Sequence, residues 1–258
     1  MDIDEFFQSL WDDYVKMAPL AQRLRGLLEA RGEHVVNDHI AFRTFDVAPI
    51  QLEALELPIL ALGYRRYEPY AFPDKHLRAF GYVREGYPRI FLSELETRYF
   101  SPSLQETVGR LCAQVSQPNF PGRPWQPVDW STYQALLNES EYAGWVAALG
   151  LRANHFTVSL NHLKTFEDFP AFLDFLEAEG FALNMGGGRI KGSPEVLLEQ
   201  ASTLADRQPV PFSDGEREVP TCYYEFALRY NDPATGELYQ GFVAASADKI
   251  FESTNTKS

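Results

Sequence analysis

The sequence predicts an α+β fold in which helical blocks alternate with short strands. Three observations carry this: apolar residues at helical spacing near the start, three stretches whose polar and apolar side chains alternate, and turn-forming residues between them. From Phe6 to Leu28 the apolar positions Phe6, Leu10, Tyr14, Met17, Leu20, Leu24, Leu27 and Leu28 predict two helices. Pro19 opens the second and Gly32 caps it. A strand follows around His39. Residues 49–62 predict a helix begun near Pro49 and ended at Gly63, then strands near 64–68, 77–84 and 89–94. The run 101–115 is helical, the Pro- and Trp-rich segment 117–130 is irregular, and a helical stretch at 131–149 closes at Gly150. After the strand holding His155, Thr165-Phe166-Glu167-Asp168 opens a helix that runs to Gly180. The remainder predicts a strand at 181–184, a turn at Gly186-Gly187-Gly188, a short strand, and a helix near 194–205. A hairpin pairing 221–231 with 237–245 comes next, then a last helix at 246–252 and a polar tail. His39 and His155 hold comparable strand positions, a hint of a duplicated βαβ-type module.

With 258 residues, 45% of them hydrophobic and 23% charged, the chain has material for a large core in one domain or two small ones. A net charge of −13 argues against nucleic acid or an anionic membrane as partner, and requires local arginines if the substrate is an anion. Two cysteines, Cys112 and Cys222, make no disulfide framework and suit a reducing cytosol. The start, Met1-Asp2-Ile3-Asp4-Glu5, lacks a signal peptide's basic and apolar regions, and no run reaches membrane-span length, so the expectation is a cytoplasmic protein.

The chemistry lies in Asp38-His39-Ile40-Ala41-Phe42-Arg43, Asn154-His155-Phe156-Thr157-Val158-Ser159 and Tyr223-Tyr224-Glu225-Phe226-Ala227-Leu228-Arg229. Strand alternation places His39, Ala41, Arg43 and Phe45 on one face; His155, Thr157 and Ser159 on another; and Tyr223, Glu225, Ala227 and Arg229 on a third. Two imidazoles and one carboxylate form the set that leaves coordination positions open and suits non-heme Fe(II) with O2. Arg43 sits about 13 Å along the backbone from His39, close enough for a long side chain to reach a metal-bound acid. The plain alternatives stay open at this point. A strand histidine is more often hydrogen-bonded than ligating, and Glu225 has Arg229 or Arg43 as ion-pair partners. His34, His76 and His162 lie near turns or in Arg-rich loops and are expected to be solvated. No Gly-x-Ser-x-Gly, His-Glu-x-x-His or Cys-x-x-Cys pattern occurs, and the triple glycine is a turn rather than a phosphate cradle.

These stretches, with Gly192-Ser193, Gln200-Ala201-Ser202-Thr203 and Ala245-Ser246-Ala247-Asp248-Lys249-Ile250-Phe251-Glu252-Ser253-Thr254, resemble the 2-oxoadipate dioxygenase/decarboxylase (hydroxyglutarate synthase) family. The resemblance implies a vicinal-oxygen-chelate-like fold: a curved mixed β-sheet, a partial barrel, around one metal with helices outside. It implies one catalytic domain over 1–258, with helices 3–31 and 246–252 packed on the sheet. It implies Fe(II), or another divalent metal in a purified sample, on His39, His155 and Glu225. Arg43 is implied as the catalytic-site residue binding a substrate carboxylate, and Ala245 and Ser246 as further substrate contacts. The implied reaction takes a 2-oxo dicarboxylic acid such as 2-oxoadipate, with O2, to 2-hydroxyglutarate and CO2. An O2-independent vicinal-oxygen-chelate lyase, isomerase or hydrolase on another metal is the alternative, and a non-catalytic acid-binding protein a third. The chain is compact beside the family's characterised bacterial member, with less sequence between the two histidines.

Overall fold

The computed structural model describes residues 2–118 and 120–254; the polar tail over 255–258 lies outside the described residues. Its elements are, in order, α1 (Ile3–Met17), α2 (Pro19–Ala30), β1 (Asn37–Phe45), α3 (Leu52–Ala61), β2 (Arg65–Phe72), β3 (Leu77–Val83), β4 (Arg89–Leu95), α4 (Pro102–Cys112), α5 (Trp130–Glu139), α6 (Glu141–Leu149), β5 (Ala153–Ser159), α7 (Phe169–Ala178), β6 (Lys191–Ser193), β7 (Leu198–Ser202), β8 (Arg207–Phe212), β9 (Gly215–Pro220), β10 (Tyr223–Arg229) and α8 (Ala244–Ile250).

Eight strands form one curled half-barrel sheet in the order β2-β3-β4-β1-β5-β10-β7-β6. The pairs β1/β4 and β5/β10 are parallel, and the central pair β1/β5 is antiparallel. The order reads as two copies of one unit back to back: β1-α3-β2-β3-β4 and β5-α7-β6-β7-β10, each closing on its own first strand. The hinted duplication is therefore present as a βαβββ unit, and the sheet is the vicinal-oxygen-chelate-like half-barrel that the resemblance implied.

Helices cover the outer face because the strands turn their large apolar side chains there. Phe156 and Tyr224 pack on Trp11 and Tyr14 of α1, whose N-terminus is fixed by the Asp2–Glu5 capping box. Phe226 meets Phe172 of α7. Buried aromatic contacts of this kind dominate core energetics and fix which strand face turns inward.

Several expectations are corrected. The strand 221–231 meets 237–245 at the turn alone: both edges of β10 are taken, by β5 and β7, and the pairing is the bridge Asn231–Leu238 with the bonds Tyr239 N–Tyr230 O and Asp232 N–Glu237 O. The helix expected near 194–205 is a single 3-10 turn followed by strand β7; its polar Gln200 and Ser202 are buried on the sheet. The helical stretch 131–149 breaks at Ser140, which caps α6 through its hydroxyl. Within the opening stretch Thr165-Phe166-Glu167-Asp168, it is the last residue, Asp168, that caps α7. The segment 181–184 supplies one bridge, Leu183–Thr203, instead of a strand, and the β8/β9 hairpin was not foreseen. Among the described residues no helix is long and apolar enough to cross a membrane.

Candidate metal centre

The concave face gathers His39 from β1, His155 from β5 and Glu225 from β10. One ligand atom from each lies within 4.8 Å of the others, and all three residues are buried. His155 Nε2 is 3.1 Å from Glu225 Oε2, and His39 Nε2 is 3.4 Å from Glu225 Oε1.

Two β-bulges aim the imidazoles. Between β1 and β5 the register places Asn37 opposite Val158 and His39 opposite Thr157, so Asp38 is the extra residue. It also places Ala41 opposite His155 and Phe42 opposite Ala153, so Asn154 is the extra residue on the other strand. A bulge releases its extra residue from strict alternation. Each bulged side chain turns back onto the histidine that follows it: Asp38 Oδ1 lies 2.7 Å from His39 Nδ1, and Asn154 Oδ1 lies 3.0 Å from His155 Nδ1. If both Nδ1–H groups donate to these oxygens, as they would with a metal bound, both Nε2 lone pairs are left for the metal.

Glu225 Oε1 also accepts from Gln200 Nε2 at 2.6 Å. Burial alone would raise the Glu225 pKa, but His155, His39 and these hydrogen bonds outweigh it and hold the carboxyl below its ordinary value. Burial pushes the His155 pKa down, so its imidazole stays neutral to lower pH. Two imidazoles and a carboxylate thus converge in a buried site. That donor set fits a divalent cation, and its mix of nitrogen and oxygen with an open side fits iron.

Asp38 is itself held hard. Although burial opposes its charge, Arg229 and His39 keep its carboxyl far below the usual range. The Arg229 fork meets it at 2.7 Å (Nε–Oδ2) and 2.9 Å (Nη2–Oδ1). Arg229 also donates through Nη1 to Tyr239 O and Gly241 O, at 3.1 and 2.6 Å. These bonds draw the 239–241 segment in and bring Phe242 over the centre, with its ring 4.9 Å from that of His39. The expected Arg229–Glu225 pair does not form.

Internal symmetry explains why three candidate ligands converge and not four. In the second unit His155 lies opposite Tyr223, and Glu225 is two residues on. In the first, His39 lies opposite Arg89, and two residues on is Phe91. Phe91 occupies the position that would carry a fourth ligand, and packs against Phe242 at 4.9 Å. Beside the triad is a small cavity, with Gln200 on the ligand side and Phe91, Phe242, Ala247 and Ile250 as apolar walls.

Arg43 is buried on β1, with its guanidinium 5.1 Å from the Tyr142 and Trp145 ring centres. Its Nη1 donates to Glu141, and its Nη2 to Thr254 Oγ1 at 3.2 Å. It therefore does not pair with Glu225. Ser246 is buried beside β6, where a Cβ on Gly192 would come within 3.2 Å of its hydroxyl, and Ala245 is exposed. Neither lines the cavity; Ala247 and Ile250 of the same helix do. Of the other histidines, His34 and His162 are exposed, as expected for solvated side chains, whereas His76 is half-buried and stacks on Tyr99.

A family model described as 2-oxoadipate dioxygenase/decarboxylase matches residues 120–232. The 2-oxoadipate dioxygenase/decarboxylase, chloroplastic/amyloplastic, of Oryza sativa subsp. japonica is 34% identical over 98% of this chain and 79% of its own length. The chain belongs to the 2-oxoadipate dioxygenase/decarboxylase family. Within it, the structure of the hydroxyglutarate synthase in complex with 2-oxoadipate from Oryza sativa superposes with TM-score 0.84 at 31% identity, covering 98% of this chain and 93% of that one. A structure from Shewanella frigidimarina NCIMB 400, described provisionally as a hydrolase, superposes with TM-score 0.88 at 48% identity over 95% and 98%. The three residues that the structure brings together, His39, His155 and Glu225, were legible from the sequence. Asp38, Asn154, Gln200, Phe91 and Phe242 were not singled out, although the Asp-His and Asn-His dipeptides were a readable signal for the first two.

Proposed function

We propose that this chain, as one catalytic unit over residues 1–258, is an Fe(II)-dependent dioxygenase/decarboxylase. Its substrate would be a 2-oxo dicarboxylic acid, with 2-oxoadipate and O2 giving 2-hydroxyglutarate and CO2. The observation that carries the reading is the buried His39–His155–Glu225 triad, open on the side where Phe91 replaces a fourth ligand. Its membership of this family, and the likeness to a rice enzyme that binds 2-oxoadipate, supply the substrate class. When bound, Fe(II) would supply the electrons and the open positions at which a 2-oxo acid and O2 react.

The chain's own share is binding and exclusion. Asp38 and Asn154 hold the imidazoles in the ligating tautomer, and Gln200 fixes one Glu225 oxygen. Phe91, Phe242 and Ile250 keep water from the reacting centre, which protects a strong oxidant from side reactions. Arg43 would hold a substrate carboxylate through its planar fork. On α8, Ala247 and Ile250 are better placed for substrate contact than Ala245 and Ser246. The two free, buried thiols accord with a cytoplasmic site, although the rice relative's name places that protein in a plastid.

Fe(II)-loaded protein given 2-oxoadipate in air is expected to release one CO2 and form one 2-hydroxyglutarate per O2 consumed. Equal turnover without O2, or with Zn in place of Fe, would select the lyase or hydrolase alternative. Arg43→Lys is expected to raise KM for 2-oxoadipate by roughly 10- to 100-fold, since a charged hydrogen-bonded pair is worth about 1.5–3 kcal/mol and an ammonium lacks the fork. Metal content should stay stoichiometric. A lowered melting temperature with KM unchanged would make Arg43 a structural residue instead.

A further inference from the structure

A second cavity, of about 310 Å³, lies where Met17 at the end of α1, the end of α6 and strand β8 meet. Neither the triad nor Arg43 lines it. Trp125, Leu149 and Val210 contribute apolar wall, yet two arginines, Arg123 and Arg152, line it together. The backbone sets both in place. Gly122 and Leu151 exchange hydrogen bonds of 2.8 and 2.7 Å, which brings the residue after each, Arg123 and Arg152, to the same cavity. Gly150 permits this approach: its φ is +79°, and a Cβ there would stand 2.4 Å from Arg123 Cα. Trp125 is fixed as a wall by its indole N–H, which donates to Ala147 O at 2.9 Å.

The charges at this cavity do not balance. Arg152 has an ion-pair partner, Asp13, whose Oδ2 lies 3.6 Å from its Nε. Arg123 donates through Nη1 to two backbone carbonyls, Ala148 O at 2.8 Å and Pro211 O at 3.1 Å. The charge that acts on it is the like charge of Arg152, which together with burial pushes its pKa down, with no carboxylate to offset them. A half-buried guanidinium in that position is costly unless an anion shares the site.

We propose that this cavity binds a small monocarboxylic acid with an apolar body, its carboxylate between Arg123 and Arg152 and its body against Trp125 and the aliphatic wall. Charge sets the class. Asp13 answers Arg152, so one positive charge is left over, which a carboxylate neutralises and a phosphate dianion exceeds. The net charge of −13 repels anions at long range, so the attraction must be local, and two guanidiniums in an apolar cavity supply it. A volume of about 310 Å³ is at the small end for ligand sites, which fits an acid built on a single ring. The site stands apart from the metal centre, and its occupancy does not depend on the reaction proposed there.

Benzoate is the probe, titrated by calorimetry into the full chain at low salt. One site per chain is expected. Benzamide has the shape without the charge and acetate the charge without the ring, and each should bind at least about tenfold more weakly. Arg123→Met and, separately, Arg152→Met keep an apolar stem and remove one guanidinium, and each should weaken benzoate by about 10- to 100-fold. Arg123→Met also gives up the bonds to Ala148 and Pro211, so Arg152→Met, which keeps them, carries the test if the first variant does not fold. Saturating metal-loaded protein with 2-oxoadipate, without O2, should leave the benzoate Kd unchanged. Benzoate displaced by 2-oxoadipate, or bound as tightly by the variants as by wild type, would put the acid elsewhere and overturn the proposal. Absence of benzoate binding would overturn it too, and leave the two arginines as braces between the 122–127 segment and the end of α6.

Discussion

Glu225→Ala is expected to reduce bound metal to less than about a tenth of stoichiometric and activity by ~10³-fold or more, since two imidazoles remain and the only negative ligand is gone. The fold should survive. In the metal-free protein the buried carboxylate lies against His39 and His155 and accepts from Gln200, and these neighbours favour its charged form. Removing it loses that contribution, so the metal-free melting temperature should fall by a few degrees while the protein stays folded. Elemental analysis and calorimetric melting of metal-free protein check both halves. Stoichiometric metal in the variant would show that the triad is not the binding site.

Phe91→Glu tests the reading of the internal symmetry. A carboxylate at the position matching Glu225 would complete a four-ligand set, and closed sites of that kind favour Zn and resist ligand exchange. Metal affinity is expected to rise by at least about tenfold, and O2 consumption with 2-oxoadipate to fall below detection. Without metal the new charge faces the Phe242 ring, and the variant should be destabilised by about 3 kcal/mol and recover when metal is added. Phe91→Leu keeps the wall apolar and should bind metal as wild type does. If Phe91→Glu held metal no more tightly and still consumed O2, the symmetry argument would fail.

Consecutive side chains alone specify the helical start, the strands bearing His39 and His155, the strand bearing Glu225, and the fact that each of these three residues sits on the face opposite a large aromatic or aliphatic neighbour. These are local matters: the periods of two and 3.6 residues are written in consecutive side chains, and they need no knowledge of which strand lies beside which. The polar neighbours Asp38 and Asn154 were visible as residues, but strict alternation gives no sign that they turn back onto the histidines. A bulge is a property of a strand pair, and its register appears only when β1 meets β5.

Partner choice was likewise beyond local pattern. Glu225 had Arg229 and Arg43 as candidate counter-charges, four residues away on its own strand and on β1. The tertiary structure instead sends Arg229 to Asp38 and Arg43 to Glu141, and leaves Glu225 to the histidines. The same holds for β10, whose hairpin signal at Asn231–Gly236 goes no further than the turn because β5 and β7 had filled both of its edges. Side-chain alternation is decided by neighbours in sequence. Registers, ion-pair partners and the apolar fourth corner at Phe91 are decided by elements far apart in the chain, because a hydrogen-bonded edge or a buried charge takes the partner that packing of the whole sheet brings to it.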